Sequence, residues 1–192
     1  RGLSVVFGFG AFSHIALWGE YYRHIFLELH CAAESIGIAP CERHRQLGTL
    51  RHQPAERKRV VIMYETTFAP GSPFLSTLAD FLQQLDESWE IVVRVRMRRE
   101  HERGEVPLFL DELRRRLGTR GNTLILSSPD DTPMVEELRN ASMAVAVYSS
   151  ALLESWLAGR HVVRIAPPSA PLVLYDPPYA TSSLYHVYHS GK

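Results

Sequence analysis

Residues 143–166 read MAVAVYSSALLESWLAGRHVVRIA, and this stretch decides the fold. The run 143–147 is apolar, short, and built from small and β-branched residues. That pattern predicts a strand covered on both faces; an amphipathic helix would need a longer run with period 3.6. Tyr148, Ser149 and Ser150 interrupt the run, residues 151–158 are helix formers, and Gly159 stands where a left-handed cap closes a helix. Residues 161–166 are apolar again and read as the next strand. The order strand, serine turn, helix, glycine, strand is one βαβ unit, which implies parallel strands joined by a right-handed crossover.

The same rhythm extends upstream as far as Arg59. A buried strand is expected over 60–64 and an amphipathic helix over 73–85, with Phe74, Leu75, Leu78, Phe81, Leu82 and Leu85 inward. A strand follows over 91–97, then a helix over 107–117 with Arg114, Arg115 and Arg116 at its carboxyl end, where cations suit the dipole. A third strand centres on 123–126, and Thr132 and Pro133 open a helix with Glu136 and Glu137 in its early turns. Alternating strands and helices predict an α/β, Rossmann-like parallel sheet with helices on both faces and strand order 3-2-1-4-5. Beyond 165 the chain turns proline-rich with no long terminal helix, so the domain is expected to be incomplete at its carboxyl end.

The carboxyl ends of the strands should gather at one edge, so the loops there are the candidate site. A helix start leaves backbone N–H groups unpaired and carries partial positive charge, and two serines add hydroxyl donors. The turn at Ser149 and Ser150 is therefore a candidate phosphate site. Glu154, one turn on, is placed to accept hydrogen bonds from both hydroxyls of a ribose. The plain alternative makes Ser150 an N-cap and Glu154 a solvated helix residue. In the loop after the first strand, Thr66, Thr67, Gly71 and Ser72 could offer donors; an ordinary polar loop would look the same. Arg94 and Arg96 share a strand face by period two, and Arg96 is the candidate to neutralise a diphosphate. SSPDD at 127–131 reads as a helix-capping turn. His161 is assigned no role.

Bulk composition narrows the partners. The 192 residues carry 21 acidic and 21 basic side chains, which gives no support to a nucleic-acid surface. No apolar run approaches the ~20 residues of a membrane span, and no signal peptide pattern is present. Cys31 and Cys41 are too few for a disulfide framework or a zinc site, and no histidine pair has zinc-helix spacing. The cytoplasm is the default compartment. Arg1 is not an initiator methionine, so the chain is expected to be part of something longer. Near the start, a short strand over 35–38 and a helix over 20–29 are expected. Residues 41–58 are polar and basic, and 46–58 reads as a linker.

The segment 142–165, SMAVAVYSSALLESWLAGRHVVRI, resembles a phrase of the donor-binding half of GT-B glycosyltransferases, most like the CDP-glycerol glycerophosphotransferase and capsular-polysaccharide transferase branch. Ser149, Ser150, Glu154 and Gly159 are the matching positions. HIALWGEYYRHIFLEL at 14–29 resembles the end of the amino-terminal half; at 38–47 the match is poorer, with Ala39 where glycine is expected. The resemblance implies three parts: 1–45 as the end of the acceptor-side half, 46–58 as linker, and 59–192 as the donor domain. It implies that the serine turn holds the donor diphosphate and Glu154 the ribose, with no metal and no cofactor beyond the nucleotide-sugar substrate. The expected partners are a nucleotide diphosphate-activated donor and a carbohydrate or polyol acceptor of bacterial surface-polysaccharide synthesis, with peripheral membrane association left open. The branch places a His-Pro pair where Arg96 and Met97 stand, which weakens the case for glycerol-phosphate or sialyl transfer. The catalytic base would lie in the other half, so the chain alone would bind without turning over. Two alternatives stay open: a nucleotide-sugar 2-epimerase of the same fold, and a non-catalytic degenerate donor module.

Overall fold

The structure is a computed structural model that describes residues 15–17, 36–38, 41–95, 100–168 and 180–190. The chain divides into two compact units, Arg1–Arg45 and Gln46–Lys192. In the first, β1 (Ile15–Leu17) and β2 (Ile36–Ile38) pair in parallel. The helix expected over 20–29 lies outside the described residues.

The second unit is built on six parallel strands: β3 (Arg59–Met63), β4 (Glu90–Arg94), β5 (Ile125–Ser127), β6 (Met143–Ala146), β7 (His161–Ile165) and β8 (Tyr185–Tyr188). Their order is β5-β4-β3-β6-β7-β8. The first five follow the expected 3-2-1-4-5 order. β8 was not expected: YHVY has no buried run, since as an edge strand it only half-buries Tyr185 and Tyr188, one against each core, and leaves Val187 exposed.

The helices are α1 (Glu42–Gly48), α2 (Pro73–Gln84), α3 (Glu100–Leu117), α4 (Met134–Asn140) and α5 (Ala151–Leu157). Alternation along β3 sorts them into two layers. Val60 and Ile62 face one core with Leu75 and Leu78 of α2 and Phe109 of α3. Val61 and Met63 face the other, with Leu138 of α4 and Leu152 of α5. A strand between two apolar layers must be apolar on both faces, which explains why these strands read as continuous runs.

Three local readings change. α3 begins at Glu100, so Pro107 lies inside the helix and does not open it. A proline forfeits one backbone bond there, but Val106, Phe109, Leu110 and Leu113 are buried and anchor the helix around it. The N-cap of α4 is Pro133, with no side-chain cap; the carbonyl of Thr132 instead accepts from Arg94 Nη2 at 2.7 Å. The segment read as a linker is packed: Leu47 and Leu50, three apart, are buried in the core beneath α4 and α5, and the Arg51 guanidinium lies 5.0 Å from the Trp156 ring centroid.

Candidate functional site

β6 delivers the chain to the carboxyl edge of the sheet, and the turn Tyr148-Ser149-Ser150 leads into α5. Ser149 Oγ accepts the N–H of Ala151 at 3.2 Å, and its carbonyl accepts the N–H of Leu152 at 3.0 Å. Ser150 is helical in backbone, φ −58° and ψ −19°, and its side chain makes no capping bond. The plain N-cap reading therefore fits Ser149 better than Ser150, whose hydroxyl stays available. Gly159 closes α5 at φ +73°, the left-handed conformation the sequence called for.

A pocket of about 70 Å³ opens at this edge. Ser149, Ser150 and Glu154 all line it, together with Tyr64 from the end of β3, Arg94 from the end of β4 and Met134 from the start of α4. Glu154 is 8% exposed, so it is not a solvated helix residue. The volume matches a single phosphoryl-sized group or a few waters, well short of the hundreds of cubic ångströms of a whole-ligand cleft.

Arg94 is the basic side chain in this lining, and the surrounding protein grips it. It is 6% exposed; Nη1 donates to Ser127 Oγ at 3.0 Å and to Glu137 Oε2 at 3.4 Å. Ser127 Oγ donates to the same Glu137 carboxylate, and Arg59 Nη1 reaches its other oxygen at 3.4 Å. Arg94 therefore fastens the 127–132 loop to the sheet. Ser127 of the SSPDD stretch belongs to this buried network, while Ser128 and Asp131 bond to each other in the turn itself. Arg96 lies outside the described residues.

The loop after β3 is arranged differently from the expectation. Thr66 and Thr67 sit in a short 3-10 turn, Thr66–Phe68, and do not line the pocket. Thr67 Oγ1 donates to Glu65 Oε2 at 3.4 Å. Ser72 is occupied as the N-cap of α2, accepting from the N–H of Leu75 at 3.1 Å. The residue that sequence reasoning passed over is Glu65. Its Oε1 accepts the N–H groups of Val147 and Tyr148 at 3.3 and 3.1 Å, and its Oε2 accepts Tyr148 N–H at 3.0 Å. Burial raises the Glu65 carboxyl above the usual range, against the lowering effect of these amides. The amides just before the serine turn are thus engaged by a carboxylate of the protein. No sequence signal marks this; a glutamate at a strand end is ordinary.

Among the described residues no cluster of three or more His, Cys, Asp or Glu side chains could hold a metal ion, and no helix is long and apolar enough to cross a membrane.

No family model matches the chain. No curated protein matches it. Among solved structures the chain is similar to Anabaena HepE in complex with UDP-glucose, at 15% identity over 80% of this chain and 44% of that one, TM-score 0.48. It is also similar to the wall teichoic acid polymerase TagF, at 13% identity over 82% of this chain and 40% of that one, TM-score 0.43. A third is the lipopolysaccharide outer core galactosyltransferase WaaB, at 14% identity over 93% and 49%, TM-score 0.43. The chain spans less than half the length of each. The fold itself is read from the sheet: six parallel strands in the order β5-β4-β3-β6-β7-β8 with helices on both faces make an α/β, Rossmann-like domain.

Proposed function

We propose that the pocket at the carboxyl edge is the phosphate end of a nucleotide-sugar donor site, and that the chain is the donor-binding half of a GT-B glycosyltransferase-like protein. One observation carries the reading. Ser149, Ser150 and Glu154, singled out by their spacing and by resemblance to that family, converge on one pocket with the Ser150 hydroxyl unengaged by capping. The serine hydroxyls donate to a phosphoryl oxygen, and Glu154 accepts from the ribose. The pocket holds one phosphoryl group, so the rest of the donor lies across the open edge of the sheet, where open α/β sheets bind ligands.

In transfer, this half holds the nucleotide diphosphate and stabilises the charge it gains on leaving, by donors fixed before the reaction begins. The group passed on is a sugar or polyol, and the acceptor is a carbohydrate or polyol of a bacterial surface polysaccharide. No metal or cofactor is invoked, the catalytic base belongs to the other half, and the setting is cytoplasmic with peripheral membrane contact open. Residues 1–45 end the acceptor-side half, and 59–192 form the donor domain.

Titration calorimetry with UDP, CMP, CDP and GDP tests the reading. At least one nucleotide should bind, and the double variant Ser149→Ala, Ser150→Ala should weaken it by at least about tenfold, the worth of a single hydrogen bond to a charged group at the low end. If none binds, the donor site is refuted and a non-catalytic module remains.

A further inference from the structure

Arg164 is a buried cation that the site described above does not use. It is the fourth residue of β7, level with Ala146 on one side and Val187 on the other. Ala146 is the last residue of β6, so Arg164 stands beside the point where that strand opens into the serine turn. Its side chain shares the sheet face of Val162, the face that α4 and α5 cover.

The guanidinium is 8% exposed as a residue, and its partners are few. Nη1 donates to the Tyr185 hydroxyl at 3.4 Å, while Nε and Nη2 are enclosed and have no hydrogen-bond partner. Among the described residues no carboxylate forms an ion pair with it. The ring of Tyr148 covers it, with the guanidinium carbon 5.8 Å from the ring centroid, and Tyr148 is itself 48% exposed. An arginine does not shed its proton on burial, and a buried charge without an anion is costly. A cation–π contact at that distance does not supply the missing negative charge.

We propose that Arg164, capped by Tyr148, is an anion subsite for a second phosphoryl group of the ligand whose first group sits against Ser149 and Ser150. Nε and Nη2 lie on one edge of the guanidinium, the edge that pairs side-on with two phosphate oxygens. The enclosing ring belongs to an exposed side chain immediately before Ser149, so a rotamer change of Tyr148 opens the subsite without unfolding β7. This rests on the donor-site reading and adds to it the diphosphate: one pocket seats one phosphoryl group, and Arg164 takes the other.

The probe is inorganic pyrophosphate, followed by thermal unfolding and calorimetry, with UDP, CMP, CDP and GDP in parallel. Arg164→Met should raise the ligand-free Tm by about 2–4 °C, because it removes an uncompensated charge, and should weaken pyrophosphate about tenfold or more. Arg164→Lys keeps the charge but loses the fork, and should fall between wild type and Arg164→Met. A ligand-free Arg164→Met that is destabilised or fails to fold makes Arg164 a structural residue and overturns the subsite. Equal pyrophosphate affinity in wild type and Arg164→Met overturns it as well, as does no binding to wild type. Should the double serine variant lose nucleotide while Arg164→Met keeps it, the donor reading survives and the subsite falls. Should Arg164→Met lose pyrophosphate while no nucleotide binds wild type, the subsite survives and the donor reading falls.

Discussion

Replace Glu65 by alanine and two backbone amides lose their acceptor. Val147 is 1% exposed, so its N–H has no water to turn to, and an orphaned buried donor costs about 1–3 kcal/mol. Tyr148 is exposed; its N–H can be rehydrated and forfeits only the net worth of a bond, about 0.5–1.5 kcal/mol. The sum predicts a loss of about 1.5–4.5 kcal/mol for Glu65→Ala in urea unfolding at pH 7. Glu65→Gln is milder, because the amide oxygen can take the place of Oε1, which already receives both N–H groups. The pH dependence separates the two opposing influences on this carboxyl. Its folded pKa lies above the usual 4.5 because desolvation outweighs the amide bonds. The charged form is therefore the one that folding disfavours. Stability from this group is full below 4.5 and falls as pH rises through the raised folded value. Glutamine does not titrate, so the deficit of Glu65→Gln relative to wild type should shrink as pH climbs from 4.5 towards 7. A deficit that grows with pH would mean that the amides stabilise the anion more than burial penalises it. A Glu65→Ala loss under about 0.5 kcal/mol would mean that the turn does not depend on this carboxylate.

Glu137→Gln should cost about 3–5 kcal/mol in urea unfolding, because it strands Arg94 as a buried charge beside a half-buried Arg59; a loss below about 1 kcal/mol would show the network to be dispensable. Gly159→Ala faces both a left-handed backbone worth about 1–2 kcal/mol and a Cβ 2.6 Å from the Arg51 carbonyl oxygen, so a total above about 3 kcal/mol is expected from the same measurement. Glu154→Gln should narrow the preference for a ribonucleotide over its 2′-deoxy analogue in calorimetry; an unchanged ratio removes Glu154 from the ribose.

The architecture was readable because burial on both faces writes itself into composition. β3, β4 and β6 are nearly uninterrupted apolar runs, and the glycine after α5 needed its positive φ. β8 was not readable, since four residues with none fully buried leave too little pattern to separate from a tyrosine-rich tail. Pro107 misled for a related reason: its ring is a start signal only when nothing downstream holds the preceding turn in helix, and here the apolar face of α3 does. At the site, Ser149, Ser150 and Glu154 were legible because they are neighbours in sequence. Glu65 and Arg164 were not, because their importance comes from partners across the sheet: the amides of Val147 and Tyr148 in one case, the ring of Tyr148 and the lack of an anion in the other.

That difference changes how the turn can recognise an anion. Open backbone amides at a helix start would make a cradle that survives most side-chain changes. Here the amides of Val147 and Tyr148 go to Glu65, that of Ala151 to Ser149 Oγ, that of Leu152 to the Ser149 carbonyl and that of Glu154 to the Ser150 carbonyl. Side chains therefore share in recognition: the Ser150 hydroxyl, the second capacity of Ser149 Oγ and the unpaired edge of Arg164. Removing two hydroxyls should therefore be felt directly in affinity. It also ties the site to Glu65, which fixes the turn from beneath without taking the hydroxyls, leaving the serines aimed at the pocket by a carboxylate the ligand never touches.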